Sequence, residues 1–275
     1  MSSPNAQQDG EEKLKIYFLP NLMTAGNLVC GFVALTKIVE AEVGSATFTS
    51  DIKQSIMFIL IGCVFDLLDG RVARMGGKES PFGQEFDSLA DIVSFGIAPA
   101  FLMHRVVLAD IKFPSPEIGW VIAMVYLVCG ALRLARFNCL ATMGISSGKN
   151  FKGFPIPPAA GMVCSLTLLL LWCEEKGIAA REWRYVLPFM MIFLSFMMIS
   201  SVEYPSFKSL DLRAKRPFPK LVAAILIFGL MIVMREYILP IVLPILFTVY
   251  LIYGFVRTRI SRKMREEIEE EEDWG

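Results

Sequence analysis

Between Phe65 and Asp91 the chain reads FDLLDGRVARMGGKESPFGQEFDSLAD. Four carboxylates in it, Asp66, Asp69, Asp87 and Asp91, sit at the ends of apolar runs long enough to cross a membrane. Ionisable side chains at such depth are costly and mark function. Four together repel one another unless a positive partner neutralises them. An all-oxygen donor set of this kind suits divalent cations such as Mg²⁺ or Mn²⁺.

The spacing supports convergence. Asp66 and Asp69 are three apart, and Asp87 and Asp91 four apart, so each pair shares one face of a helix. Gly70 and Ala73 continue the first face with almost no side chain. The linker from Met75 to Phe82 contains Gly76, Gly77 and Pro81, which turn the chain. Two antiparallel helices would aim all four carboxylates into one cleft. The plainer alternative is a set of helix-end charges paired with Arg71, Arg74 and Lys78. With two divalent ions about 4 Å apart, such a cleft suits in-line displacement at phosphorus. That chemistry needs positioning and charge neutralisation more than a covalent catalyst. Gly70, Ala73 and Gly83 would let a nucleotide approach the helix backbones. Asp91, the last of the four, is the candidate base for an attacking hydroxyl.

The elements that must carry these residues are membrane helices. The chain has 275 residues, 55% hydrophobic and 20% charged, with mean hydropathy +0.53, too apolar for an ordinary soluble domain of this length. A span needs about 20 apolar residues. Eight candidates fall at roughly 19–38, 55–74, 84–107, 118–140, 156–173, 185–202, 218–234 and 237–256. The expected fold is therefore all-α, a polytopic bundle of about eight transmembrane helices. A segment at 1–18 would precede it, the transmembrane domain would run over 19–256, and a charged tail would occupy 257–275. No cleavable signal peptide is visible, because residues 1–12 are polar and acidic.

Lys and Arg mark the cytoplasmic side of membrane loops. Most of the 27 lie in loops sharing a side with the termini, around Arg71–Lys78, Lys149–Lys152, Lys208–Lys220 and Arg257–Arg265. Both termini and the Asp66–Asp91 turn are expected in the cytoplasm, with the protein in the cytoplasmic (inner) membrane. The six cysteines stand singly with no C-x-x-C, so neither zinc nor a disulfide framework is indicated. With His104 the only histidine, catalysis must rest on carboxylates. Zero net charge gives no basis for a nucleic-acid partner, and none is expected.

Other polar positions cluster at the same depth. Asn21, Thr24 and Asn27 lie on one face of the first span, as helix caps and interhelical bonds or as the lining of a polar cleft; the cleft is favoured. Arg133 and Arg136 share a face late in the fourth span, either as structural ion pairs or as a fork for substrate phosphate or carboxylate, with Asn138 beside them. Lys149 and Lys152 follow in a Gly/Ser-rich loop, and the basic loop 203–220 suits anionic lipid. Small residues Ser94, Gly96, Ala98 and Ala100 would let the third span pack closely, and Pro99 would kink it or be tolerated by neighbours.

These residues also carry a resemblance. Asp66, Asp69, Gly70, Ala73, Arg74, Gly83, Asp87 and Asp91 match, without departure, the D-x2-D-G-x2-A-R-x8-G-x3-D-x3-D pattern of the CDP-alcohol phosphotransferase family. The pattern is highly specific and covers about a tenth of the chain. The stretches PNLMTAGNLVCGF, SFGIAPAF, GALRLARFN and FKGFPIPPAAG resemble integral-membrane phosphatidylserine synthases of bacteria and archaea within that family. The resemblance implies transfer of a phosphatidyl group from CDP-diacylglycerol to L-serine with release of CMP. It implies that the first three aspartates hold two divalent ions and that Asp91 is both ligand and base. It implies that Asn21, Thr24, Asp66, Gly70, Ala73, Arg74 and Gly83 flank the CDP group, and that the enzyme is a homodimer. Arg133, Arg136 and Asn138 would meet the acceptor. Other acceptors, glycerol 3-phosphate or inositol phosphate, remain open, as does a cation transporter using the aspartates as its ion path.

Overall fold

The structure, a computed structural model, describes residues 18–75, 80–111, 115, 117–143, 150–178, 185–205, 239–254 and 256, with the side chains of 71–75, 150–152, 203 and 205 left out. The expected segment at 1–17, the span 218–234, the loop residues Lys78 and Lys149, most of the basic loop after Pro205, and the tail at 257–275 lie outside the described residues.

The described chain is helical apart from two three-residue strands. α1 runs Phe18–Glu40, with Pro20 in its first turn where a missing N–H costs nothing. Its buried positions, Pro20, Thr24, Asn27, Cys30, Gly31, Ala34 and Ile38, recur every three or four residues and form one inward stripe. Leu22, Val29, Phe32 and Val39 are exposed on its other face, as expected of a helix bathed in lipid. α2 spans Phe48–Met75 and lies along α1 over much of its length.

α3, Pro81–Asp91, is started by Ser80, whose hydroxyl accepts the Gly83 N–H at 3.1 Å. It passes without a break into a π-helical turn, Ile92–Ile97, and then into α4, Ala98–Val106. Pro99 stands just after that turn, in the first turn of α4. A proline inside a helix has no N–H and its ring clashes with the carbonyl four residues back. That carbonyl belongs to Phe95, and it is satisfied instead by the buried Tyr126 hydroxyl of α5 at 3.1 Å. Of the two outcomes expected of Pro99, the neighbour-tolerated one is seen.

α5 covers Ile118–Thr142, α6 Ile156–Glu175 and α7 Val186–Ile199. A further helix, α8, covers Leu239–Gly254. Between α5 and α6 the strand β1, Asn150–Lys152, pairs antiparallel with β2, Glu203–Pro205, which follows α7. Gly153 leaves β1 with φ +83, and a side chain there would run into the Met198 carbonyl. Phe154, Tyr204 and Tyr250 then pack their rings together with centroids 5.1 to 5.9 Å apart, joining the strands to α8. Burial pushes the Tyr204 phenol well above its ordinary range, so it stays neutral.

Among the described residues, four helical stretches are long and apolar enough to cross a membrane: Phe18–Glu40, Pro81–Val106, Ile118–Thr142 and Ile156–Glu175. α2 is longer but carries Asp51, Lys53, Asp66, Asp69, Arg71 and Arg74. α7 and α8 are apolar but shorter. At the end of the bundle away from the aspartates, the Arg105 Nε donates to the Ala41 carbonyl at 2.9 Å, and Lys53 pairs with Glu175 at 2.7 Å. His104 stacks on Trp120 there with centroids 3.6 Å apart, consistent with the helix-end place expected for it.

Replacing Tyr126 by Phe should orphan the Phe95 carbonyl while keeping the packing. The expected loss is about 1–2 kcal/mol of stability, since a buried acceptor left unpaired costs on that order. Unfolding in detergent titrated with SDS reads it; an unchanged midpoint would mean that the proline turn needs no hydroxyl.

Candidate active site

The two helix faces converge. One carboxylate oxygen from each of Asp66, Asp69 and Asp87 lies within 4.8 Å of the others. Asp69 is buried, and Asp66 and Asp87 are half-buried. The spacing within α2 and α3 made these faces, and the fold brings them together.

Asp91 is set one turn deeper, at the last residue of α3, and is buried. Asp66, Asp69 and Asp87 are all close enough to act on it electrostatically, and Arg133 of α5 is the cation that offsets them. Arg133 is itself buried, faces Asp91, Asp66 and Tyr250, and has its Nε without a hydrogen-bond partner among the described residues. Its guanidinium also lies 6.0 Å from the Phe137 ring centroid.

α1 supplies the neutral polar wall. Thr24 donates to Asp69 Oδ2 at 3.0 Å, and the Asn27 amide donates to Asp91 Oδ1 at 3.2 Å. Asn21 sits at the mouth with its amide nitrogen buried and unpaired among the described residues. Its Oδ1 would lie 3.4 Å from a Cβ at Gly83, which brings Asn21 and Gly83 to the same spot. Gly70 is half-buried on α2 beside Asp69. The backbone of Ala73 and Arg74 continues that helix, while their side chains lie outside the described residues.

The acceptor candidates are not brought together as a fork. Arg136, three residues after Arg133, is exposed, and its Nη1 donates to the Ile199 carbonyl at 3.2 Å. A cation at the last carbonyls of a helix is a favourable C-terminal cap, so Arg136 closes α7. The Phe154 N–H serves the same helix end by donating to Met197 at 2.9 Å. Asn138 reaches α3, donating to Ser88 Oγ at 3.0 Å and Glu85 Oε2 at 3.3 Å, and accepting from Gln84 at 3.4 Å. It ties α5 to the helix bearing Asp87 and Asp91. Reasoning from sequence placed Asn27 on the right face but gave it no partner; Gln84 and Ser88 were missed. Spacing reveals which residues share a face, whereas a partner depends on how helices cross.

Hard carboxylate oxygens this close fit a divalent cation, and the donor set contains no sulfur or imidazole that would favour a softer metal. Asp66, Asp69 and Asp87 would hold it.

Fold and site together define an integral-membrane helical enzyme built around an acidic cluster that could hold a metal ion. The model for CDP-alcohol phosphatidyltransferases matches residues 17–202. Among curated proteins, the chain is 31% identical over 246 residues to a CDP-diacylglycerol–serine O-phosphatidyltransferase of Helicobacter pylori, covering 88% of this chain and 91% of that one. It is 34% identical over 191 residues to the protein of the same name from Bacillus subtilis, covering 70% and 92%. It is also 34% identical over 189 residues to an archaetidylserine synthase of Methanothermobacter thermautotrophicus, covering 68% and 69%. The chain belongs to the CDP-alcohol phosphatidyltransferase family.

Asp69→Asn removes one of three convergent charges and should weaken Mn²⁺ binding at least about tenfold, the scale seen when metal-site groups are disturbed. Titration of free Mn²⁺ by electron paramagnetic resonance measures this directly. Equal affinity in the variant would separate the cluster from metal binding.

Proposed function

We propose that this protein transfers the phosphatidyl group of CDP-diacylglycerol to L-serine, forming phosphatidylserine and releasing CMP. The observation that carries it is the convergence of Asp66, Asp69 and Asp87 beside a buried Asp91, in a chain whose relatives include two named as serine phosphatidyltransferases. Two divalent ions, Mg²⁺ or Mn²⁺, held by Asp66, Asp69, Asp87 and Asp91, would supply charge neutralisation at the pyrophosphate.

The remaining roles fall to the chain's own residues. Asn21, Thr24, Gly70, Ala73, Arg74 and Gly83 flank the CDP group, with the small residues allowing its approach. Asp91 takes the proton of the serine hydroxyl. The serine oxygen forms a bond to the lipid-bearing phosphorus as the bond from that phosphorus to the CMP oxygen breaks, and CMP carries away the electron pair. Arg133, buried with an Nε unpaired among the described residues, offers its guanidinium to the serine carboxylate, geometry for which Arg is suited. Arg136 and Asn138 support this region from the α7 end and from α3.

The Lys and Arg of the loops support a cleft and both termini on the cytoplasmic side of the inner membrane, in an eight-span topology. The working unit is a homodimer whose transmembrane domain covers 19–256, between a short N-terminal segment and a charged tail.

A headgroup screen with radiolabelled CDP-lipid tests the reading. CMP release should require L-serine and Mg²⁺ or Mn²⁺. Equal release with inositol phosphate or glycerol 3-phosphate would overturn the acceptor, and ion flux without CDP-lipid would overturn the reaction class. Asp91→Asn should lower turnover by about 10²- to 10⁴-fold, the contribution typical of a general base, while CDP-lipid binding persists. Loss of binding instead would make Asp91 a structural or metal-retaining group only.

A further inference from the structure

Asn27 of α1 is fully buried, 0% exposed, and held from three sides. Its amide nitrogen donates to Asp91 Oδ1 at 3.2 Å. Its backbone carbonyl accepts the Ser94 hydroxyl, in the π turn just after Asp91, at 2.9 Å. Its Oδ1 lies against α2 at Gly62, where an added Cβ would come within 3.0 Å of it. One turn along α1, Gly31 meets Ser94 so closely that a Cβ would lie 2.7 Å from the Ser94 Cα. The crossing of α1 over the π turn is therefore at backbone distance, and it brings Asn27 within reach of Asp91.

We propose that Asn27 is a positioning residue for the reaction: it occupies Oδ1 of Asp91 and so leaves Oδ2 as the oxygen presented to the substrate. This rests on the reading of Asp91 as the base. A carboxylate can rotate about its last torsion, which is broad and roughly two-fold. A charge-assisted bond from a carboxamide that cannot move removes that freedom. Gly62 confines the carboxamide on its Oδ1 side, and the Ser94 bond fixes the backbone that carries it. A Cβ at 62 would crowd the carboxamide at 3.0 Å, and a residue without an amide at 27 would free the carboxylate.

The test uses the full-length protein in detergent with CDP-diacylglycerol, L-serine and Mn²⁺. Asn27→Leu, similar in size but without the amide, should lose about 100-fold in kcat, the scale of an ångström-sized misplacement of a reacting group. KM for the CDP-lipid and Mn²⁺ affinity should stay within about twofold, because the aim of the base is lost and not the binding of lipid or metal. Gly62→Ala, which leaves Asn27 in place but crowds it, should give a smaller loss of the same kind. In the double variant Asn27→Leu/Asp91→Asn, the loss should be no greater than for Asp91→Asn alone, since the two act as one unit. If Asn27→Leu keeps kcat within about threefold, or if KM, metal affinity and melting point all fall with it, the positioning role is overturned. If Asp91→Asn itself remains active, it is the base assignment that fails.

Discussion

Negative charge held inside a membrane helix pair is the constraint from which most of this structure follows. Asp66, Asp69 and Asp87 crowd within 4.8 Å of one another, with Asp91 buried beside them. Ionised carboxylates leaving water cost several kcal/mol each unless they are paired or hydrogen-bonded. Each neighbouring element contributes something against that cost. α1 offers Thr24 and Asn27, and α5 offers Arg133. The polar stripe on an otherwise apolar first helix is thus explained by what it faces.

The same need shapes the backbone. Asn27 can reach Asp91 only if α1 crosses the third membrane segment with no side chain between them, and Gly31 against Ser94 provides that crossing. The segment it crosses is a π turn, stabilised where Pro99 would otherwise strand the Phe95 carbonyl by the hydroxyl of Tyr126. Packing and catalytic geometry are therefore written in the same few residues.

Much of this was readable from the amino acids. Asp66 and Asp69 at i, i+3, and Asp87 and Asp91 at i, i+4, specified two acidic faces, and the Gly/Pro linker implied that they would meet. The apolar runs gave the helical class, since period and length are local properties. What was not readable is long-range. Arg136 shares a face with Arg133 by spacing, yet its guanidinium caps α7, because the end of α7 happens to fall there. Asn138 engages α3 rather than standing free for a ligand. The β1–β2 pairing joins residues about fifty apart through three-residue strands too short to leave a periodic trace.

A π turn is an α-helix that has taken in one extra residue without rotating its flanks. Ile92–Ile97 stands between the acidic face of α3 and the core face of α4. Losing a single residue inside that stretch would let it tighten to regular α-helix with both faces still in phase. Losing one from Pro81–Asp91 or from Ala98–Val106 would swing one face by roughly 100° against the other. Tolerance of length change along this membrane segment is therefore confined to the few residues that follow Asp91.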